Sequence, residues 1–295
     1  MAEIQMDRDF AIEQLRIMRP QMMAMFAAQR EGIPIHGEEM ELALPSGTRQ
    51  MMHYPSGKDC APVYIDVHGG GFTWGTISDG DMFCTAVSSE FGWEAYSLDY
   101  PLTPDAEYPT QLNWVYETIS YLRAHADEYH IDPDRIVIGG RSAGGNLAAA
   151  LCLLAKQKGE FRFAAQILDH PWLDLCRIIP WEGRYDGQDA LSDEVMIGLS
   201  LGYADPVRYT EILCSPLAAT KEDLTGLPPA IVQTCELDSL GPEGDLYAKH
   251  LEEAGVPVIW HCFEGAIHGF SEGDTEIGEQ GRRWLLAQLR KTVDF

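Results

Sequence analysis

From residue 36 onward, short apolar runs alternate with longer stretches of mixed polarity. The runs VYIDV (63–67), EAYSLDY (94–100), RIVIGG (135–140), AAQILDH (164–170), PAIVQTC (229–235) and PVIWHCF (257–263) are too short for buried helices. They are rich in β-branched and aromatic residues and predict strands. Between or after them, 81–91, 110–130, 143–157, 241–254 and 276–292 place apolar residues at helical spacing. Strands separated by helices of this length predict βαβ units and a mostly parallel sheet, the α/β class. Ahead of this pattern, Phe10, Ile12, Leu15, Ile17, Met18, Met22, Met25 and Phe26 recur at helical spacing over 7–31. Pro20 lacks an N–H and crowds the preceding turn, so two helices are expected there rather than one. Such a Met-rich stretch suits a lipid surface or the flank of its own protein, and the second is the expectation. The interval 172–227 breaks the alternation, with Pro180, Gly183, Gly187, Gly198, Gly202, Pro206 and Pro216; only 193–203 has a clear helical pattern. An insertion of that size between two sheet strands predicts a lid or cap over the sheet edge.

Length and composition narrow the class. The chain has 295 residues, 45% of them hydrophobic and 23% charged, which suits one large soluble α/β domain with a sizeable core. Forty-six acidic against 21 basic residues give a formal charge of −25. That field repels phosphate backbones and anionic bilayers, so neither nucleic acid nor a membrane is an expected partner. The seven cysteines (60, 84, 152, 176, 214, 235 and 262) form no CxxC pair, and neither a zinc spacing nor a disulfide framework is visible. The first fifteen residues carry acids and no apolar h-region, and no stretch approaches the roughly 18 apolar residues of a span. A cytoplasmic protein is the resulting expectation, and no metal or cofactor is expected.

Two glycine motifs carry candidate chemistry. The strand at 135–139 runs into Gly140-Arg141-Ser142-Ala143-Gly144 and then an Ala/Leu-rich helix, the strand–turn–helix setting of a G-x-S-x-G nucleophile elbow. Glycines two positions either side of the serine relieve a tight turn. His68-Gly69-Gly70-Gly71-Phe72 directly follows the strand at 63–67. Without β-carbons, the backbone N–H groups of such a loop approach a substrate oxygen closely enough to stabilise an oxyanion. No phosphate-loop pattern accompanies it.

With the stretches LDYPLTPDAEYP (98–109), GGRSAGGNLAAAL (139–151), LPPAIVQTCELDSLGPEGDLYAKHLEEAGVPV (227–258) and EGAIHGF (264–270), these motifs make the chain resemble the hormone-sensitive-lipase group of α/β-hydrolases, which includes many bacterial carboxylesterases. The matching stretches spread over most of 61–292, and serine, aspartate and histidine follow in the chain order nucleophile, acid, base. The resemblance implies a single α/β-hydrolase domain over 1–295. Its central sheet is mostly parallel, and its cap is built from about 1–35 and 175–215. It implies Ser142 as nucleophile, Asp238 as acid, His268 as base, and the N–H groups of Gly70, Gly71 and Ala143 as an oxyanion hole, with His68 structural. It further implies hydrolysis of short-to-medium acyl esters through an acyl-enzyme, with a small-molecule ester as substrate. Amide or formamide hydrolysis and sugar deacetylation use the same triad and stay open as alternatives. A non-catalytic receptor on this fold loses the histidine, so His268 argues against one. A homodimer is left open.

Other ionisable residues receive blander readings. Asp99 resembles a packing residue, Glu243 a hydrogen-bonding residue near the acid, and His170 and His261 satisfied core or rim histidines. Trp172, Trp181, Tyr185, Met196 and Tyr203 are candidates for an apolar pocket, although for each the expected role is the blander one of holding the cap together. Three departures from the family pattern stand out: Arg141 where an acid or small hydroxyl is usual, Pro101 where an arginine is usual, and Ser239 where proline is usual. Pro101 and Arg141 are read as linked substitutions that replace one ion pair.

Overall fold

The computed structural model describes residues 6–176 and 191–293. Eight strands, β1 (Glu38–Leu44), β2 (Gly47–Tyr54), β3 (Ala61–Val67), β4 (Glu94–Leu98), β5 (Ile131–Arg141), β6 (Ala165–Asp169), β7 (Ala230–Leu237) and β8 (Val258–Ile267), form a sheet in the order β1-β2-β4-β3-β5-β6-β7-β8. The pairs β1–β2 and β2–β4 are antiparallel, and every neighbouring pair from β4 to β8 is parallel. The helices are α1 (Arg8–Gln29), α2 (Asp81–Ala86, continued by a π-helical turn at Val87–Phe91), α3 (Thr110–Ala124), α4 (Ala143–Lys158), α5 (Asp193–Tyr203), α6 (Lys221–Leu224), α7 (Gly241–Glu253) and α8 (Glu276–Thr292).

The strand period of two divides the core into layers. Val63, Ile65, Val67, Ile136, Ile138, Leu168 and Val232 face one side, where they pack with α3, α4 and α7. Their sequence neighbours Tyr64, Val137, Ile167 and Ile231 face the other, against Phe83 of α2 and Leu285, Leu286 and Leu289 of α8. A sheet covered on both faces explains why these strands read as nearly continuous apolar runs. Helix α4 is almost wholly buried at Ala143–Ala155; Lys156 and Lys158 lie in its last turn, and Gly159 closes it at φ 67°.

Three expectations are corrected. Helix α1 runs unbroken through Pro20. Proline in a helix interior forfeits the hydrogen bond to the carbonyl four residues back, here Arg16, at roughly 3 kcal/mol. Contacts on both sides of the proline hold the two halves in line: Arg30, at the end of the second half, reaches Asp79 and Thr76, and two arginines anchor the first half. Arg8 reaches Glu107 and the Leu201 carbonyl, and Arg19 reaches the Thr103 carbonyl at 3.1 Å and Asp105 at 2.7 Å. The β1–β2 hairpin has no counterpart among the predicted strands, because its outer strand is mostly exposed and charged. Strand β8 continues past Phe263 to Ile267, where Ile267 pairs with Leu237 of β7. Among the described residues no helix is long and apolar enough to cross a membrane.

Candidate active site

The register of the parallel strands gathers the candidate residues. Leu237 and Ile267 are paired neighbours, so Asp238 and His268, the next residue on each strand, emerge side by side at the carboxyl edge. Arg141 and Asp169 pair in the same way, which sets Ser142 beside His170. The carboxyl edge of a parallel sheet is where open α/β folds place their sites.

Ser142 occupies the single residue between β5 and α4, at φ 53° and ψ −119°. This positive φ is a strained conformation for a residue with a β-carbon. The turn is held by the Ser142 N–H donating to the Asp169 carbonyl at 3.0 Å and by the Trp172 N–H donating to the Ser142 carbonyl at 3.1 Å. The flanking glycines are sterically required. A β-carbon on Gly140 would lie 2.2 Å from the Gly144 carbonyl oxygen, and one on Gly144 would lie 2.1 Å from that of Val67.

The three polar side chains form a chain of contacts. Ser142 Oγ lies 2.9 Å from His268 Nε2, and His268 Nδ1 lies 2.7 Å from Asp238 Oδ2. Asp238 is buried, and its second oxygen accepts from the Leu240 N–H at 2.9 Å, which fixes the carboxylate. With Asp238 accepting from Nδ1, Nε2 is the nitrogen left to accept the serine proton. Facing them, Gly70 and Gly71 adopt φ 98° and 57°. A β-carbon on Gly70 would strike the Trp74 carbonyl oxygen at 2.2 Å. Tyr100 donates to the carbonyls of His68 and Gly69, and its ring stacks on that of His68 at 4.2 Å. Burial pushes the pKa of His68 down, so the ring packs as a neutral support. Ala143 opens α4, where its N–H has no helical partner four residues back.

The remaining candidates lie elsewhere. Glu243 accepts from the N–H groups of Leu173 and Asp174, both at 2.9 Å, and so braces the chain after β6. Asp99 accepts from Trp114 Nε1 at 3.0 Å, and burial pushes its carboxyl up. His261 is exposed on β8 and meets Phe263 and Trp284. Arg141 takes its partner from β3 rather than near Pro101. Asp66 Oδ1 and Oδ2 accept its Nη1 and Nη2 at 2.9 and 3.0 Å. The strand register explains this pairing. Asp66 is opposite Gly139, two residues before Arg141, so both side chains project from the same face of the sheet. Burial opposes the guanidinium charge and Asp66 overrides it, so the pKa of Arg141 stands above its ordinary value. His170 is fully buried against Asp169. Neither Asp66 nor Glu272 stands out in the sequence, because their partners lie on other elements.

A cavity of about 490 Å³ opens over Ser142 and His268. One wall comes from Met18, Met22 and Phe26 of α1, another from Met196 and Leu199 of α5, and Trp172 lies against it. Tyr203 is instead a core residue, stacked on Phe72 with centroids 3.6 Å apart. Trp181 and Tyr185 lie outside the described residues. The lining is mainly apolar and the volume falls within the range of small-molecule sites. Among the described residues no group of His, Cys, Asp and Glu is arranged to hold a metal ion.

Comparison with known proteins points the same way. A family model described as alpha/beta hydrolase fold matches residues 64–272. A carboxylic ester hydrolase of Mycobacterium tuberculosis, LipN, is 31% identical over 81% of this chain and 66% of its own length. An arylesterase of Saccharolobus solfataricus is 35% identical over 70% of this chain and 68% of its own. This chain thus spans about two thirds of the length of these relatives. Among solved structures, the thermostable carboxylesterase EstE1 from a metagenomic library superposes with a TM-score of 0.83 at 29% identity, covering 99% of this chain and 100% of that one.

Proposed function

The chain belongs to the α/β-hydrolase family, in its hormone-sensitive-lipase group, and from that membership we propose that it hydrolyses carboxylic esters through an acyl-enzyme on Ser142. The observation that carries this reading is the linked contact of Ser142, His268 and Asp238 at 2.9 and 2.7 Å, beside a glycine loop and beneath an apolar cavity. A serine hydroxyl is a weak nucleophile until an adjacent base takes its proton. His268 Nε2 accepts that proton as Oγ attacks the ester carbonyl, and Asp238 steadies the imidazolium that results. The N–H groups of Gly70, Gly71 and Ala143 hold the oxyanion of the tetrahedral intermediate. On collapse His268 returns the proton to the departing alkoxide and the alcohol leaves. His268 then deprotonates a water, which attacks the acyl carbon. A second collapse releases the carboxylic acid, the proton passes back to Ser142, and no cofactor enters.

The cap in this reading combines residues 1–35 with about 175–215, of which 1–5 and 177–190 lie outside the described residues. The packing of α1 against α5, and their shared contribution to the cavity, support it. The substrate is a small ester with a short-to-medium acyl chain. Seven unpaired cysteines, four of them buried, support a reducing compartment such as the cytoplasm. The nucleophile is tested by treating the intact protein with paraoxon. A single diethylphosphoryl adduct is expected on the peptide containing Ser142, and none in Ser142→Ala. Absence of the adduct, or its location on another residue, would remove Ser142 from the mechanism.

A further inference from the structure

Behind His268 stands a second histidine that the reaction above does not use. His170 follows β6 at φ 38°, with 1% of its surface exposed. Its Nδ1 lies 2.8 Å from Asp169 Oδ1, and its Nε2 lies 3.6 Å from Glu272 Oε1, an ion-pair distance too long for a hydrogen bond. Its ring meets that of His268 edge to face, with centroids 4.7 Å apart and planes at 84°. Besides the apolar ring of Phe270, with centroids 6.4 Å apart, the surroundings are polar and charged. Asp169 also accepts from Gln233 Nε2 at 2.7 Å and from Ser271 Oγ at 2.6 Å. Glu272 lies 3.9 Å from Arg141 Nε, and Arg141 is paired with Asp66. From α8, Arg282 donates to the carbonyls of Ser271 and Gly273. Burial works against a charge on His170, but Asp169 and then Glu272 override it and push the pKa up to about 10. Two carboxylates within 2.8 and 3.6 Å favour the charged form of this ring, which lies in contact with the ring of His268.

We propose that His170 is a positioning residue for His268: clamped between Asp169 and Glu272, its charged ring braces the catalytic imidazole and, by like-charge repulsion, keeps it free to accept the Ser142 proton in mildly acidic solution. The inference rests on the ester-hydrolysis reading for its kinetic readout. The two flanking carboxylates make the sign testable. Removing the His170 charge leaves Asp169 and Glu272 uncompensated beside His268, which favours protonation of His268. Removing the Glu272 charge has the opposite effect, because Asp169 alone keeps His170 charged.

The experiment compares the pH dependence of kcat/KM on p-nitrophenyl butyrate for wild type, His170→Gln and Glu272→Gln. The acid limb is expected to move up by roughly one pH unit in His170→Gln and to move down in Glu272→Gln. A purely structural role would lower stability without moving the two limbs in opposite directions. An unmoved limb in either variant, or movement in the same direction in both, overturns the proposal. Should His170→Gln fail to fold, the partly exposed Glu272→Gln carries the test alone, and an unmoved or raised limb overturns it. Wild-type silence on the ester would contradict the esterase reading instead. The proposal is then read from an NMR titration of the His268 ring in substrate-free protein, with the same directions expected.

Discussion

Ser142 holds a positive φ because its neighbours leave the chain no alternative path from β5 into α4. The fit is so close that Gly144 cannot carry a β-carbon without displacing the end of β3, 2.1 Å away. Gly144→Ala is therefore expected to lower stability by about 3 kcal/mol or more, as overpacking against backbone does. Urea unfolding measures this, and a loss under about 1 kcal/mol would show that the elbow is looser than its geometry implies. At this scale the sequence was informative where chemistry demands particular residues in order. Ser142 was marked by its glycine turn after a strand, whereas Asp238 and His268 came from the resemblance to the hydrolase group; the three side chains lie in contact. His170 was legible only as a satisfied buried histidine. Its pairing with Asp169 is local, but its contacts with Glu272 and His268 come from elements a hundred residues away.

Elements join here through polar pairs as well as through the apolar layers. Asp66 of β3 and Arg141 of β5 form a forked pair beneath the elbow, with side chains 0% and 7% exposed. Breaking a buried pair from one side leaves a bare charge, so Asp66→Asn is expected to cost about 3–5 kcal/mol. Replacing both partners with Asp66→Leu and Arg141→Met should recover most of that loss, a coupling that a double-mutant cycle reads directly. Additive single effects would mean that the pair contributes no coupling. The pairing escaped sequence reading because nothing in the chain order marks β3 and β5 as neighbours; the sheet order supplies it. The same limitation applies to α1. Pro20 correctly marks a lost hydrogen bond, but the ties from Arg8 and Arg19 before it and from Arg30 after it, which keep the helix whole, are tertiary. The hairpin β1–β2 was missed for the converse reason. Its exposed, charged outer strand lacks the apolar signal that revealed the buried strands.

Across the whole molecule, the parallel order from β4 to β8 turns four distant stretches of sequence into one site. The glycine loop, the elbow, the acid loop and the base loop leave the same sheet edge, and α1 and α5 close an apolar cavity above them. The excess of acidic residues leaves this arrangement untouched, since net charge bears on partners and solubility rather than on fold. The central claim is an acyl-enzyme on Ser142 fed from a cavity of limited size. It is tested most directly by hydrolysis of p-nitrophenyl acetate, butyrate, octanoate and laurate by wild type and Ser142→Ala. The account predicts turnover from acetate to octanoate, a fall at laurate, and a loss of about 10⁴-fold or more in the variant. Folded wild type that is silent on all four esters, or a Ser142→Ala protein that keeps its activity, would contradict it.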